Sequence, residues 1–146
     1  MFEALKLAEI AGEEDEVPIG AVVVKDNRII GRGYNQVEKL KDSTAHAEII
    51  AITAATNSLG DKSLVDCDLY VTVEPCLMCT GAILLSKIKN LYFATFEPKT
   101  GACGSVYNIL EDKKLNHDVV VYSGIYEQEA KEIMQDFFIK KRLLKK

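Results

Sequence analysis

The sequence has no apolar run approaching the roughly 18 residues that a bilayer-crossing helix needs. Its opening stretch, Met1 to Ile10, carries Glu3, Lys6 and Glu9 where a signal peptide would be uncharged. These absences predict a cytoplasmic protein. An excess of positive charge is also missing: 22 acidic against 18 basic residues leave a formal net charge of −4. A protein that coats nucleic acid nonspecifically needs a positive field over a large surface, so that class is disfavoured. Internal repeats and low-complexity linkers are lacking too. What is present is a chain of 146 residues, 48% hydrophobic, which suits one domain with one sizeable core. Such a core does not depend on disulfide staples, so among the four cysteines the pair Cys76 and Cys79, spaced Cys-x-x-Cys, is read as metal-binding or redox-active.

Charge is unevenly spread, with acids crowded at Glu13 to Glu16 and a basic tail at Lys140, Lys141, Arg142, Lys145 and Lys146. Phe2, Leu5, Ala8 and Ala11 recur at helical spacing, which predicts an amphipathic helix that stops before Pro18. Ile19 to Lys25 and Arg28 to Asn35 flank the turn pair Asp26-Asn27 and predict an antiparallel hairpin, in which Gly31 and Gly33 weaken the second strand or mark a bulge. A polar loop through Lys39, Lys41 and Asp42 leads to a helix over Ala45 to Ser58, capped near Ser43 or Thr44 and ended by Gly60. Asp68 to Val73 reads as a strand that runs into Glu74-Pro75, the proline opening a helix that continues through Leu85. Strands over Asn90 to Ala94 and Val119 to Tyr122 and a long helix over Tyr126 to Leu144 follow. The order predicts an α/β fold, a sheet of about five strands with helices on its faces.

Chemistry concentrates in two predicted helix starts, His46-Ala47-Glu48 and Pro75-Cys76-Leu77-Met78-Cys79. One imidazole and two thiolates form a borderline-soft set suited to tetrahedral zinc. A helix N-terminus favours thiolate over thiol, because its unpaired N–H groups stabilise negative charge. Structural zinc sites close with four protein ligands and catalytic ones keep a position for water, so His46, Cys76 and Cys79 as three ligands point to catalysis. Glu48, a carboxylate close to the metal without being a ligand, then suits proton transfer. The plainer alternatives are a redox pair, or a closed structural site completed by Cys67 or Cys103.

The joint pattern His46-Ala-Glu48 with Pro75-Cys76-x-x-Cys79 resembles the cytidine and deoxycytidylate deaminase superfamily. Asp15-Glu16-Val17-Pro18-Ile19-Gly20-Ala21-Val22, Gly33-Tyr34-Asn35, Thr44-Ala45-His46-Ala47-Glu48, Leu69 to Cys76, Lys99-Thr100-Gly101-Ala102 and Asp136-Phe137-Phe138 are similar to bacterial tRNA-specific adenosine deaminases. The resemblance implies a three-layer α/β/α fold around a mixed sheet, one zinc per subunit and a homodimer. It implies hydrolytic deamination of adenosine to inosine at the wobble position of a tRNA anticodon, usually of an arginine tRNA, with Glu48 as proton shuttle. It also implies that Asn35 hydrogen-bonds the target nucleoside, that Val17, Pro18 and Ala47 belong to its pocket, and that Glu97 and Lys99 contact flanking nucleotides.

Each of these positions has an ordinary reading beside it. Asn35 suits a strand-end turn, and Glu97-Pro98-Lys99 suits a solvated loop. Phe137 and Phe138 are core or partner-facing residues first and stacking platforms second. Lys141, Arg142 and their neighbours suit the C-terminal end of a helix dipole as well as they suit RNA phosphates. Two rival functions remain at this point: a deaminase of a free base or nucleoside such as guanine or cytosine, and a zinc-stabilised RNA-binding subunit without catalysis.

Overall fold

A computed structural model describes residues 1–145; Lys146, counted above in the basic tail, lies outside the described residues. In chain order the elements are α1 (Phe2–Glu13), β1 (Gly20–Lys25), β2 (Arg28–Tyr34), α2 (Val37–Leu40), α3 (Ala47–Leu59), β3 (Asp68–Val73), α4 (Leu77–Leu85), β4 (Asn90–Thr95), a 3₁₀ turn (Ile109–Glu111), β5 (Val120–Ser123) and α5 (Glu127–Leu144). The sheet order is β2-β1-β3-β4-β5. β1 runs antiparallel to β2 and to β3, and β3, β4 and β5 are parallel. Helices α3 and α4 cover one face, and α1 and α5 cross the other. This is the expected three-layer α/β/α architecture around a mixed five-stranded sheet.

The β1–β2 hairpin turns on Asp26 and Asn27 with φ of 51° and 63°, the left-handed pair that matches the twist of the strands. Its register slips between Val23 and Val24, so the bulge falls beside Gly31, one of the two glycines expected to mark it. On the α3–α4 face, Ala21, Val23, Leu69, Val71, Leu91 and Phe93 project into the main core with Ala47, Ala51, Ala55 and Ile83. That alternation is the period of two of a strand with one face in the core. On the opposite face Tyr70, Tyr92 and Tyr122 stand in register across three parallel strands and stack at 4.4 and 4.8 Å between ring centroids. Such cross-strand pairs support the sheet where no helix covers it fully.

The structure corrects the sequence reading at both helix starts that carry the chemistry. α3 begins at Ala47 with His46 as its N-cap, two residues later than expected. Neither Ser43 nor Thr44 caps it; the Thr44 N–H and hydroxyl donate to Asp42 Oδ1 at 2.8 and 2.7 Å. That local turn ties the polar loop to itself. α4 begins at Leu77 with Cys76 as N-cap. Pro75 stands outside the helix, and its carbonyl accepts the Ala102 N–H at 2.9 Å. Gly60 ends α3 in the left-handed conformation, φ 67°, as expected.

Gly31 and Gly33 do more than bend β2. A Cβ on Gly31 would stand 2.7 Å from Ala55 N, and one on Gly33 2.6 Å from Ala51 N. The strand therefore presents bare backbone to the alanine face of α3, and the helix settles against it. Because Gly33 also meets the carbonyl of Ala47, this packing sets the depth of the first turn of α3. Gly33→Ala is expected to lower stability by about 1–3 kcal/mol through overpacking. Urea unfolding checks this, and an unchanged midpoint would contradict the packing argument.

Candidate active site and metal centre

α3 and α4 both start with an extended residue that offers no side-chain cap, His46 and Cys76 respectively. The free N–H groups of two helix N-termini therefore meet above one end of the sheet, where the macrodipoles favour negative charge. His46 Nδ1 stands 3.6 Å from the sulfurs of both Cys76 and Cys79. All three donor atoms lie within 4.8 Å of one another, a group able to hold one metal ion. The remaining cysteines do not join it. The Cys67 thiol is directed at the Val65 carbonyl, 3.7 Å away, and Cys103 contacts Thr80 Oγ1 at 3.3 Å. Among the described residues the group thus has three protein donors, as the spacing predicted.

Protonation follows from the crowding. The Cys76 thiol is held down at about 4, first by a hydrogen bond from the Cys79 thiol and then by His46 and the Cys79 backbone N–H, against the opposing effect of burial. Cys79 is pushed far up, because it is the partner that keeps the shared proton and is buried as well. His46 is raised by its hydrogen bond to the Cys76 sulfur. The group therefore holds protons that an arriving cation displaces. Glu48 is 4% exposed, in the first turn of α3, and desolvation pushes its carboxyl up to about 7. A carboxyl with that affinity exchanges a proton readily at neutral pH.

The metal group forms the floor of an open cleft of about 1160 Å³. Val17, Asn35, Glu97, Phe137, Phe138 and Lys141 line it together with His46, Glu48 and Cys76. Asn35, 7% exposed, follows the end of β2 and donates its backbone N–H to Ile19 O at 3.1 Å. Several expected residues lie elsewhere. Pro18 is fully buried and packs toward Gly12 rather than into the cleft. Ala47 has no exposed surface and belongs to the main core, because its side chain points at the sheet from the first turn of α3. Lys99 is exposed at the tip of its loop, and Thr100 takes the place on the wall. Arg142 faces a second hollow on the other side of Phe138, shared with Phe96 and Lys131.

Lys141 is already occupied. Its ammonium pairs with Asp15 Oδ1 at 2.6 Å and lies 5.6 Å from the centroid of the Phe137 ring. The acidic stretch and the basic tail, distant in sequence, thus meet at the mouth of the cleft.

Sequence reasoning passed over two buried acids. Glu16, 1% exposed, accepts the N–H groups of Glu38 and Lys39 at 2.9 and 2.7 Å and so caps α2 from a distant part of the chain. Glu74 accepts the N–H groups of Glu97, Cys103 and Ser105, each at 3.0 Å. The available signal was an acid directly beside an apolar stretch, Glu74 after the strand residue Val73 and Glu16 before Val17-Pro18-Ile19. Neither α2 nor the 3₁₀ turn was expected, both being too short for a hydrophobic period.

Comparison with known proteins agrees with this geometry. The sequence model of the MafB19-like deaminase family matches residues 1–142. A tRNA-specific adenosine deaminase of Agrobacterium fabrum is 48% identical over 140 residues, 96% of this chain and 92% of that protein. A solved structure from work on A-to-I editing by tRNA:A34 deaminases at the wobble position superposes with a TM-score of 0.86 at 48% identity, covering 89% of this chain and 94% of that one. Guanine deaminase from Bacillus subtilis gives a TM-score of 0.64 at 37% identity over 79% of this chain and 73% of that one. A metal group at two converging helix starts, a buried acid beside it and likeness over almost the whole length lead to one assignment: the chain belongs to the MafB19-like deaminase family, with the tRNA-specific adenosine deaminases.

Proposed function

We propose that this protein hydrolyses adenosine to inosine at the wobble position of a tRNA anticodon, using one zinc ion held by His46 Nδ1, Cys76 and Cys79 and using Glu48 to carry protons. The observation that carries the reading is a buried carboxyl with a neutral-range pKa beside a three-donor metal group, on the floor of a cleft larger than one nucleoside needs. The donors suit zinc in kind and spacing. With Zn–S of about 2.3 Å and Zn–N of about 2.0 Å, a tetrahedron sets nitrogen and sulfur roughly 3.5 Å apart, against 3.6 Å for both pairs here. When bound, zinc supplies a Lewis acid that makes water a nucleophile at neutral pH.

The chain's own residues supply the rest. Glu48 accepts one proton from the attacking water and delivers it to the purine ring nitrogen. It then carries the second to the departing amine, so that ammonia leaves and the carboxylate is regenerated. Asn35, held at the end of β2, orients the nucleoside, and Val17 provides an apolar wall. Phe137, Phe138 and Thr100 line the approach for a flipped-out base and its neighbours, with Glu97 beside them. Lys99, Lys141 and Arg142 are the phosphate contacts of this reading, with Arg142 reached only by a strand that passes beyond Phe138. An arginine tRNA is the expected substrate and the cytoplasm the expected compartment. Among the described residues no helix is long and apolar enough to cross a membrane.

A homodimer is part of the proposal. Leu77 and Leu85, 57% and 84% exposed, lie on either side of Gly81 along the outer face of α4. Val106 and Tyr107 add further exposed apolar surface. An apolar stripe of this kind supports a buried contact with a second copy. Leu77→Glu with Leu85→Glu is expected to shift the sedimentation mass from dimer to monomer; an unchanged dimer would place the contact elsewhere.

Glu48→Gln should retain one zinc per chain while its turnover falls by roughly 10² to 10⁴-fold. Metal analysis with single-turnover inosine formation measures both, and an active variant would end the proton-carrier role. Substrate class is decided separately. Purified protein incubated with an anticodon stem-loop bearing wobble adenosine, with free adenosine, with guanine and with cytidine should produce inosine from the stem-loop. Turnover confined to a free base would overturn the RNA assignment while sparing the metal centre.

A further inference from the structure

Glu74 is 3% exposed, and among the described residues none of the ion pairs includes it. Its charge is compensated by hydrogen-bond donors alone. Oε1 accepts the Glu97 N–H at 3.0 Å and the Ser105 hydroxyl. Oε2 accepts the N–H groups of Cys103 and Ser105, both at 3.0 Å. Four donors fill the acceptor capacity of a carboxylate, and all four come from the loop that runs from β4 over the cleft. The loop closes around this side chain: a Cβ on Gly101 would strike the Glu74 carboxyl. Gly101 in turn donates its N–H to the Glu97 carbonyl at 2.9 Å and accepts the Val106 N–H at 2.9 Å. Two residues after Glu74 stands Cys76, a metal donor whose backbone bridges Gly101. Glu97 and Thr100 of the same loop line the cleft.

We infer that Glu74 is a positioning residue, whose buried carboxylate fixes the 97–105 loop against the metal-bearing turn and thereby sets the wall that grips the polynucleotide beside the target base. The inference deepens the proposed function and, for its kinetic part, rests on it. Among the described residues no hydrogen bond links Glu74 to His46, Cys76 or Cys79. Glu74 lines the cleft beside Cys76, Glu97 and Thr100, and its action passes through the three backbone N–H groups and the Ser105 hydroxyl that it holds in the loop. A neutral amide cannot replace it. The NH₂ group that Glu74→Gln introduces would confront donors, whichever way the amide turned, and the charge that strengthens each bond would be gone.

The test compares Glu74→Gln with wild type in three measurements. Zinc content should stay at one per chain. Amide hydrogen exchange at Cys103 and Ser105 should accelerate relative to the α3 amides. The KM for the anticodon stem-loop should rise roughly ten- to a hundredfold, with kcat falling less. A purely structural role predicts a different pattern, a smaller active fraction with lower apparent kcat and unchanged KM; that result, or unchanged exchange at Cys103 and Ser105, overturns the inference. If Glu74→Gln does not fold, Ser105→Ala removes one of the four bonds and should give the same pattern, with KM raised about two- to fivefold; an unchanged KM and unchanged exchange at Cys103 would overturn it equally. A wild type that forms no inosine from the RNA defeats the functional reading, and the exchange comparison then decides the role of Glu74 alone.

Discussion

α3 lies against β2 at a distance that only glycine on the strand and alanine on the helix allow. Gly31 and Gly33 leave the space that Ala47, Ala51 and Ala55 fill. Such contacts are rigid, because neither side has a flexible end that can yield. The first turn of α3 is fixed in height above the sheet by this seam, and His46 and Glu48 with it. α4 reaches the same point by another route: β3 ends, Glu74 and Pro75 turn the chain, and Cys76 starts the helix. A metal site formed from two chain segments about thirty residues apart needs both approaches to be defined: close backbone packing defines that of α3, and the Glu74 carboxylate with the Pro75–Ala102 bond ties the turn before α4 to the neighbouring loop.

This explains how much was legible. The grouping of His46, Cys76 and Cys79, with Glu48 in the first turn of α3, could be read from spacing, because helix starts impose short fixed offsets between residue types. Five strands and the larger helices could be read from apolar period, since β3 and β4 each extend over six residues and α5 over eighteen. The exact helix starts could not be read. Thr44 is a plausible N-cap by type, yet its hydroxyl serves Asp42, and a local turn outcompetes a cap without any change in composition. Pro75 likewise suits a first helical turn, but its carbonyl is committed to Ala102, a partner that sequence separation hides. Pro18 and Ala47, expected at the pocket by resemblance, are fully buried, while their neighbours Val17 and Glu48 line the cleft.

Two buried acids share a logic that composition conceals. Glu74 directly follows β3 and Glu16 precedes β1 by four residues, and each accepts backbone N–H groups, of α2 for Glu16 and of the 97–105 loop for Glu74, rather than pairing with a cation. A buried carboxylate is tolerable when donors surround it, and a loop without secondary structure gains from it the order that a ladder would otherwise provide. The two walls of the cleft are therefore as determined as the sheet beneath them.

The Asp15–Lys141 pair changes how the mouth of the cleft meets an anion. Lys141 is not an empty cation surrounded by mobile salt; it carries a counterion that belongs to the fold, held at 2.6 Å by a residue whose backbone is already in the left-handed region at φ 65°. A phosphate that takes Lys141 displaces a carboxylate that stays tethered nearby, instead of releasing a free ion into solution. The entropy of counterion release is correspondingly smaller at this position. The acidic stretch thus acts as a competitor built into the chain, one that favours ligands able to engage several cations together over any lone anion that reaches the rim.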